Sequence, residues 1–120
     1  PAYELARSLC LFGAGTANVL AIDAVYTNFR DSEGLKAEAL EGVRSGFGAK
    51  AAIHPAQIEV INEAFTPSHS DIEWAERVIA VFAAAGGGGV AAIDGKMLDR
   101  PHLRSAHRVL ERARGAGALD

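Results

Sequence analysis

The chain has 120 residues, 49% hydrophobic and 22% charged, which supports one modest core and argues against disorder. A net charge of −3 argues against a nucleic-acid-binding surface. No apolar run approaches the roughly 18–20 residues of a membrane span. No signal-peptide pattern is visible in these residues, and the single cysteine, Cys10, cannot form an internal disulfide, so a cytoplasmic setting is the expectation.

Residues 2–16, AYELARSLCLFGAGT, set Leu5, Leu9 and Phe12, with Cys10 beside them, at approximate helical spacing that fades at the glycines. The chain opens at Pro1 within this helix start, as a piece of something longer would. AIDAVYTNF (21–29) reads as a strand buried on both faces, as in a parallel sheet. From Ser32 to Arg44, Leu35, Ala39, Leu40 and Val43 give one helical face, and Gly46 stops it. AKAAI (49–53) is a second short strand, and Pro55 then stands at the first position of a helix bearing Ile58, Ile61 and Phe65. This alternation implies βαβ units and a parallel sheet with helices outside. Two strands cannot form a stable parallel sheet alone, so the remaining strands are expected from elsewhere.

Residues 66–120 follow a different pattern. Ser70 and Glu73 stand at capping-box spacing ahead of a helix with Ile72, Ala75, Ile79 and Phe82 on one face, reaching about Ala85. Gly86–Gly89 breaks it. GVAAIDGKMLDRPH (89–102) alternates like a hairpin, with arms 90–93 and 97–98 around an Asp94-Gly95 turn. A last helix starts at Pro101 with Leu103, Ala106, Leu110 and Ala113 on one face. The division is therefore an α/β body over 1–65 and a helix–hairpin–helix appendage over 66–120.

No CxxC, HExxH or EF-hand pattern occurs, so no metal ligand is assigned within the chain. GAGTAN (13–18) follows a helix rather than a strand, the wrong context for a dinucleotide loop, and GFGAK (46–50) lacks Walker spacing. Ligands of α/β sheets and barrels sit at the C-terminal ends of strands. Here those ends carry Asn28, Arg30 and Asp31 after the first strand, and His54 and Gln57 after the second. Asp31 or Ser32 reads equally as a helix cap, and His54 as a structural histidine bonded to nearby backbone. Lys50, inside an apolar strand, needs an anionic side chain or an anionic ligand. Asp94 reads as a turn residue, and Asp99 could simply support the N-terminus of the last helix.

AIDAVYTNFRDSEG, GFGAKAAIHPAQIEVINEAFTPS and GVAAIDGKMLDRP, in that order, closely resemble the C-terminal part of the citrate lyase β-subunit-like family, which includes malyl-CoA and citramalyl-CoA lyases. The resemblance spans essentially the whole chain, and its one departure is Ala49, where the family usually has Gly before the lysine. It implies the last two β/α units of a (β/α)8 TIM barrel, strands 21–26 and 49–53, followed by the appendage. It also implies a magnesium-dependent carbon–carbon lyase acting on 3-hydroxyacyl-CoA thioesters such as citramalyl-, malyl- or citryl-CoA. Asp99 of the GKMLD motif would be the catalytic proton-transfer group, completing the site of a neighbouring subunit in a homotrimer or hexamer. Ile22, Asp23, Asn28 and Asp31, with Ile53, His54 and Pro55, would line the coenzyme A and thioester side. The family's metal-binding and substrate-gripping residues lie on earlier strands, so this chain alone is expected neither to bind magnesium nor to turn over. The competing expectations are a non-catalytic oligomerisation module and a nucleotide-binding α/β domain.

Overall fold

A computed structural model describes residues 2–86 and 88–119. In chain order the described elements are α1 (Ala2–Ala17), β1 (Ile22–Asp23), α2 (Ser32–Ser45), β2 (Ala49–Lys50), a 3-10 turn (Pro55–Gln57) running into α3 (Ile58–Phe65), α4 (His69–Ala84), β3 (Val90–Ile93), β4 (Lys96–Asp99) and α5 (Arg100–Gly115). They divide after Phe65 into two compact units. None of these helices is long and apolar enough to cross a membrane.

In the first unit β1 and β2 pair in parallel, Ile22 beside Ala49 and Asp23 beside Lys50, with α2 as the crossover. Gly48 N–H donates to Ala21 O and Ala51 N–H to Asp23 O (3.0 and 3.1 Å), which extends the contact one residue at each end. The strands are far shorter than the 21–29 and 49–53 expected, and β1 is not buried on both faces, since Ile22 is 63% exposed. The physical reason is that a two-stranded parallel ladder has no flanking strands to cover its edges and faces. Leu35 and Ala39 of α2, Phe47, and Ile61 and Ala64 of α3 are the buried hydrophobic residues of this unit, while Leu40 is exposed. The first helix runs on through Gly13 and Gly15 to Ala17, past the glycines where it was expected to fade, yet it buries nothing: Tyr3, Leu5, Leu9 and Phe12 face outward. Pro1 lies outside the described residues.

In the second unit the capping box is not Ser70/Glu73. Ser68 caps α4, its Oγ accepting from Asp71 N–H at 3.1 Å, and Asp71 Oδ2 accepts from Ser68 N–H at 3.2 Å. The helix begins at His69, so only Ser68 stands at the cap position, and Glu73 instead reaches His69 one turn back (3.1 Å). Ile72, Ala75, Val78 and Phe82 of α4 form a single core with Ala91, Ile93 and Leu98 of the hairpin and Ala106, Leu110 and Ala113 of α5. Val78 takes the buried place expected of Ile79, which is half-buried. Ile93 pairs with Lys96, leaving a two-residue Asp94-Gly95 loop with φ of 50° and 78°. Both are left-handed, as a type I′ turn requires, and glycine takes the second at no steric cost. Gly87, within the expected glycine break, lies outside the described residues; α4 ends at Ala84.

Candidate functional site

Lys50 was the residue most in need of a partner, and the chain supplies it. Its Nζ lies 2.6 Å from Glu38 Oε2 and 3.5 Å from Asp23 Oδ2, and it donates to Ala24 O at 2.8 Å. Asp23 is also gripped by Arg7, whose Nη2 and Nε donate to the two carboxylate oxygens at 2.9 and 3.3 Å, and it accepts from Ala24 N–H at 2.9 Å. The Lys50 and Asp23 side chains are 1% and 3% exposed. The Arg7 guanidinium is held above its ordinary value, chiefly by the hydrogen bonds to Asp23. Gly42 makes the site possible, because a Cβ there would stand 2.9 Å from Asp23 Oδ2. So Asp23, expected on the ligand side, has its carboxylate enclosed and spent on two cations, where it fastens α1, β1 and β2 together.

Beyond the strand ends the two connecting loops are clipped by Gln57, which is 1% exposed. Its Nε2 donates to Tyr26 O at 2.8 Å and its Oε1 accepts from Ile53 N–H at 2.9 Å. Gln57 was expected as a polar residue on the open face; it is instead a strap between the loops. Replacing it with Leu removes the partner of both the Tyr26 carbonyl and the Ile53 N–H. The expected cost is about 1–3 kcal/mol, read as a lower urea midpoint. An unchanged midpoint would show that both groups find other partners.

Asp31 caps α2 through Gly34 N–H (3.0 Å) and accepts from the Tyr26 hydroxyl (2.8 Å), so the cap reading describes its side chain. The Gly34 N–H, and then Tyr26, hold its carboxyl below the usual range, while Asp31 pushes the Tyr26 phenol up. The signs give two opposite expectations. A depressed carboxyl contributes fully above its unfolded value and loses that contribution as pH falls through the folded one. The stability gap between the wild type and Asp31→Ala should therefore narrow in acid. A raised phenol contributes fully below its unfolded value and loses it as pH climbs through the folded one, so the gap for Tyr26→Phe should narrow in alkali. Thermal melts across pH check both.

His54 Nδ1 accepts from Ala56 N–H (3.1 Å) and caps the 3-10 turn, with Pro55 at its first position as expected. Its ring stacks on Phe29 (centroids 4.5 Å apart, planes 13° apart), and the Arg30 guanidinium lies 5.4 Å from the Phe29 centroid. The structure thus brings His54 to Phe29 and Arg30, an exposed aromatic and cationic ledge joining the two loops. Asn28, Ile22 and Ile53 are exposed on these segments.

In the second unit Asp94 sits in the hairpin turn and pairs with Arg77 (3.1 Å). Asp99 ends β4 and stands at the N-cap of α5, so it occupies the helix-supporting position. Its Oδ1 lies 2.7 Å from His102 Nδ1, and its own N–H points at the same nitrogen from 3.2 Å. Asp99 and His102 thus form a capping box at the start of α5. Both side chains are more than half exposed (59% and 53%). Arg7, Glu38, Tyr26 and His102 were not singled out from the sequence. His102, three residues after a cap aspartate, carried a readable signal; Arg7 and Glu38 did not, because only folding brings them to Lys50. Among the described residues no group of three or more His, Cys, Asp or Glu side chains is placed to hold a metal ion.

A family model for C-C bond lyases of the TIM-barrel fold matches residues 8–118. A protein named (3S)-malyl-CoA thioesterase from Cereibacter sphaeroides is 42% identical over 120 residues, which is 98% of this chain and 42% of that protein. A citrate lyase subunit β-like protein from Mycobacterium tuberculosis is 41% identical over 89% of this chain and 38% of its own length. Among solved structures, Mycobacterium tuberculosis CitE in complex with magnesium, acetoacetate and coenzyme A matches with a TM-score of 0.79 and 38% identity, over 95% of this chain and 42% of that one. A citrate lyase from Burkholderia xenovorans matches with a TM-score of 0.77 and 26% identity over the full chain and 38% of its own. The chain therefore spans about two fifths of the length of these relatives, and its fold is that of part of an α/β TIM barrel.

Proposed function

Since the chain belongs to the C-C bond lyase family of the TIM-barrel fold, we propose that it is the C-terminal part of a cytoplasmic lyase that cleaves 3-hydroxyacyl-CoA thioesters such as malyl-, citramalyl- or citryl-CoA. In this reading residues 1–65 are the last β/α units of the barrel and 66–120 a lid that also joins subunits of a trimer or hexamer. The observation that carries it is the placement of Asp99: an exposed carboxylate at the strand–helix corner, tied to His102 in a capping box and still 59% open to solvent. Cleavage beside a thioester leaves an enolate carbon that must gain a proton. A carboxyl group on a lid over a neighbouring barrel is suited to deliver it. Ile22, Asn28, Asp31, Ile53, His54 and Pro55 are proposed to flank the coenzyme A and thioester, with Asp23 contributing backbone alone.

Magnesium and coenzyme A occur together in the Mycobacterium tuberculosis CitE complex. In this reading the magnesium ligands lie on earlier strands of the complete enzyme, and the isolated segment should show no lyase activity with added magnesium. Assayed within the complete enzyme, at least one of the three thioesters should release a 2-oxo acid. The name of the Cereibacter relative favours a second outcome, hydrolysis of malyl-CoA. Free thiol released without a 2-oxo acid would establish that one. Turnover of no thioester by an intact oligomer would overturn both and favour an assembly module.

A further inference from the structure

We propose that the cleft between α4 and α5 of the second unit binds a phosphomonoester carried on an apolar body. The open cleft offers about 530 Å³, within the range of small-molecule sites. Its floor is Ile79 and Phe82 of α4 with Leu103 of α5, and its rim is Arg100, Arg104 and His107. Those three follow i, i+4, i+7 spacing, so they line one face of α5 over about 10 Å. No carboxylate lines the cleft, and among the described residues none lies within ion-pair distance of the three. Of the acids near in sequence, Asp94 is engaged with Arg77 and Asp99 with His102, and Glu111, four residues beyond His107, does not line the cleft.

Two guanidiniums one turn apart present two forked donor sets and two permanent charges. A dianionic phosphomonoester balances both and can accept from both forks, with His107 as a further donor. A single carboxylate would leave one fork unmatched. The half-buried Ile79 and Leu103 beside them offer apolar surface that a bare phosphate could not use. The site lies wholly in the second unit and does not depend on the lyase reading.

The test is titration of the intact protein with 1-naphthyl phosphate, followed by its fluorescence, alongside naphthol and inorganic phosphate as half-ligands. Binding tighter than either half-ligand is expected, and it should weaken about tenfold or more in Arg100→Gln/Arg104→Gln. Arg108→Gln, on the same helix but outside the cleft, should leave it unchanged. Ile79→Trp, which fills the floor, should also abolish binding, and the arginine pair still decides should that variant fail to fold. Equal affinity in the double variant and in Arg108→Gln would overturn the proposal. So would inorganic phosphate binding as tightly as the naphthyl ester, or a cleft filled by a second copy, seen as a concentration-dependent mass that Ile79→Trp abolishes.

Discussion

Asp99→Asn in the complete enzyme is expected to lower thioester turnover about 10²- to 10⁴-fold, the usual contribution of a positioned acid or base. Asparagine matches the carboxylate in shape and is an equally good N-cap residue, so α5 should keep its start and the oligomer its mass. What the variant loses is an exchangeable proton on an exposed carboxyl group. His102→Ala is the informative companion. It removes the Nδ1 contact that anchors one Asp99 oxygen (2.7 Å) without removing the acid itself, so kcat should fall less than in Asp99→Asn while KM holds. His102→Asn, which can return a donor near the same place, should recover part of the loss. Unaltered turnover in Asp99→Asn would confine Asp99 to capping a helix.

The elements that were legible in the sequence are those whose signal is local. The hairpin turn follows from Asp94-Gly95, the end of α2 from Gly46, and the entry to α3 from Pro55. Strand length and burial are not local properties. β1 was read as enclosed because its residues are apolar, but a strand is enclosed only by neighbouring strands and helices, and here Ile22 faces out. The capping box slipped by two residues because Ser68 and Ser70 both precede an acid by three, and only the first helical residue separates them. At the strand ends sequence alone could weigh cap against ligand for Asp31 and structural against functional for His54. In each case the side chain makes a local backbone bond, since a nearby N–H is within reach of a short polar side chain, and Asp31 adds the Tyr26 hydroxyl. Gln57 differs. Its two partners lie on different loops, and nothing near it in sequence announces Tyr26.

Asp23 carries the largest expected effect on the fold. Asp23→Asn keeps the shape but removes the charge that both Arg7 and the 1%-exposed Lys50 face. Stripping one partner from a buried pair costs about 3–5 kcal/mol. The lower end applies here, because Glu38 still reaches Lys50 at 2.6 Å and Arg7 has some access to water. The loss should fall on the first unit alone, and the chain has a built-in way to tell. Its one tryptophan, Trp74, lies on α4 of the second unit, whereas both tyrosines, Tyr3 and Tyr26, belong to the first. In urea, tyrosine emission should report a lowered midpoint in Asp23→Asn while tryptophan emission keeps its own. Adding Lys50→Met, which removes the second buried charge, should recover much of the loss, since an apolar pair no longer needs desolvated ions to match. If Asp23→Asn left the tyrosine midpoint in place, Asp23 would not be what fastens α1 to the strand pair. Its carboxylate would then be free to serve the thioester side after all.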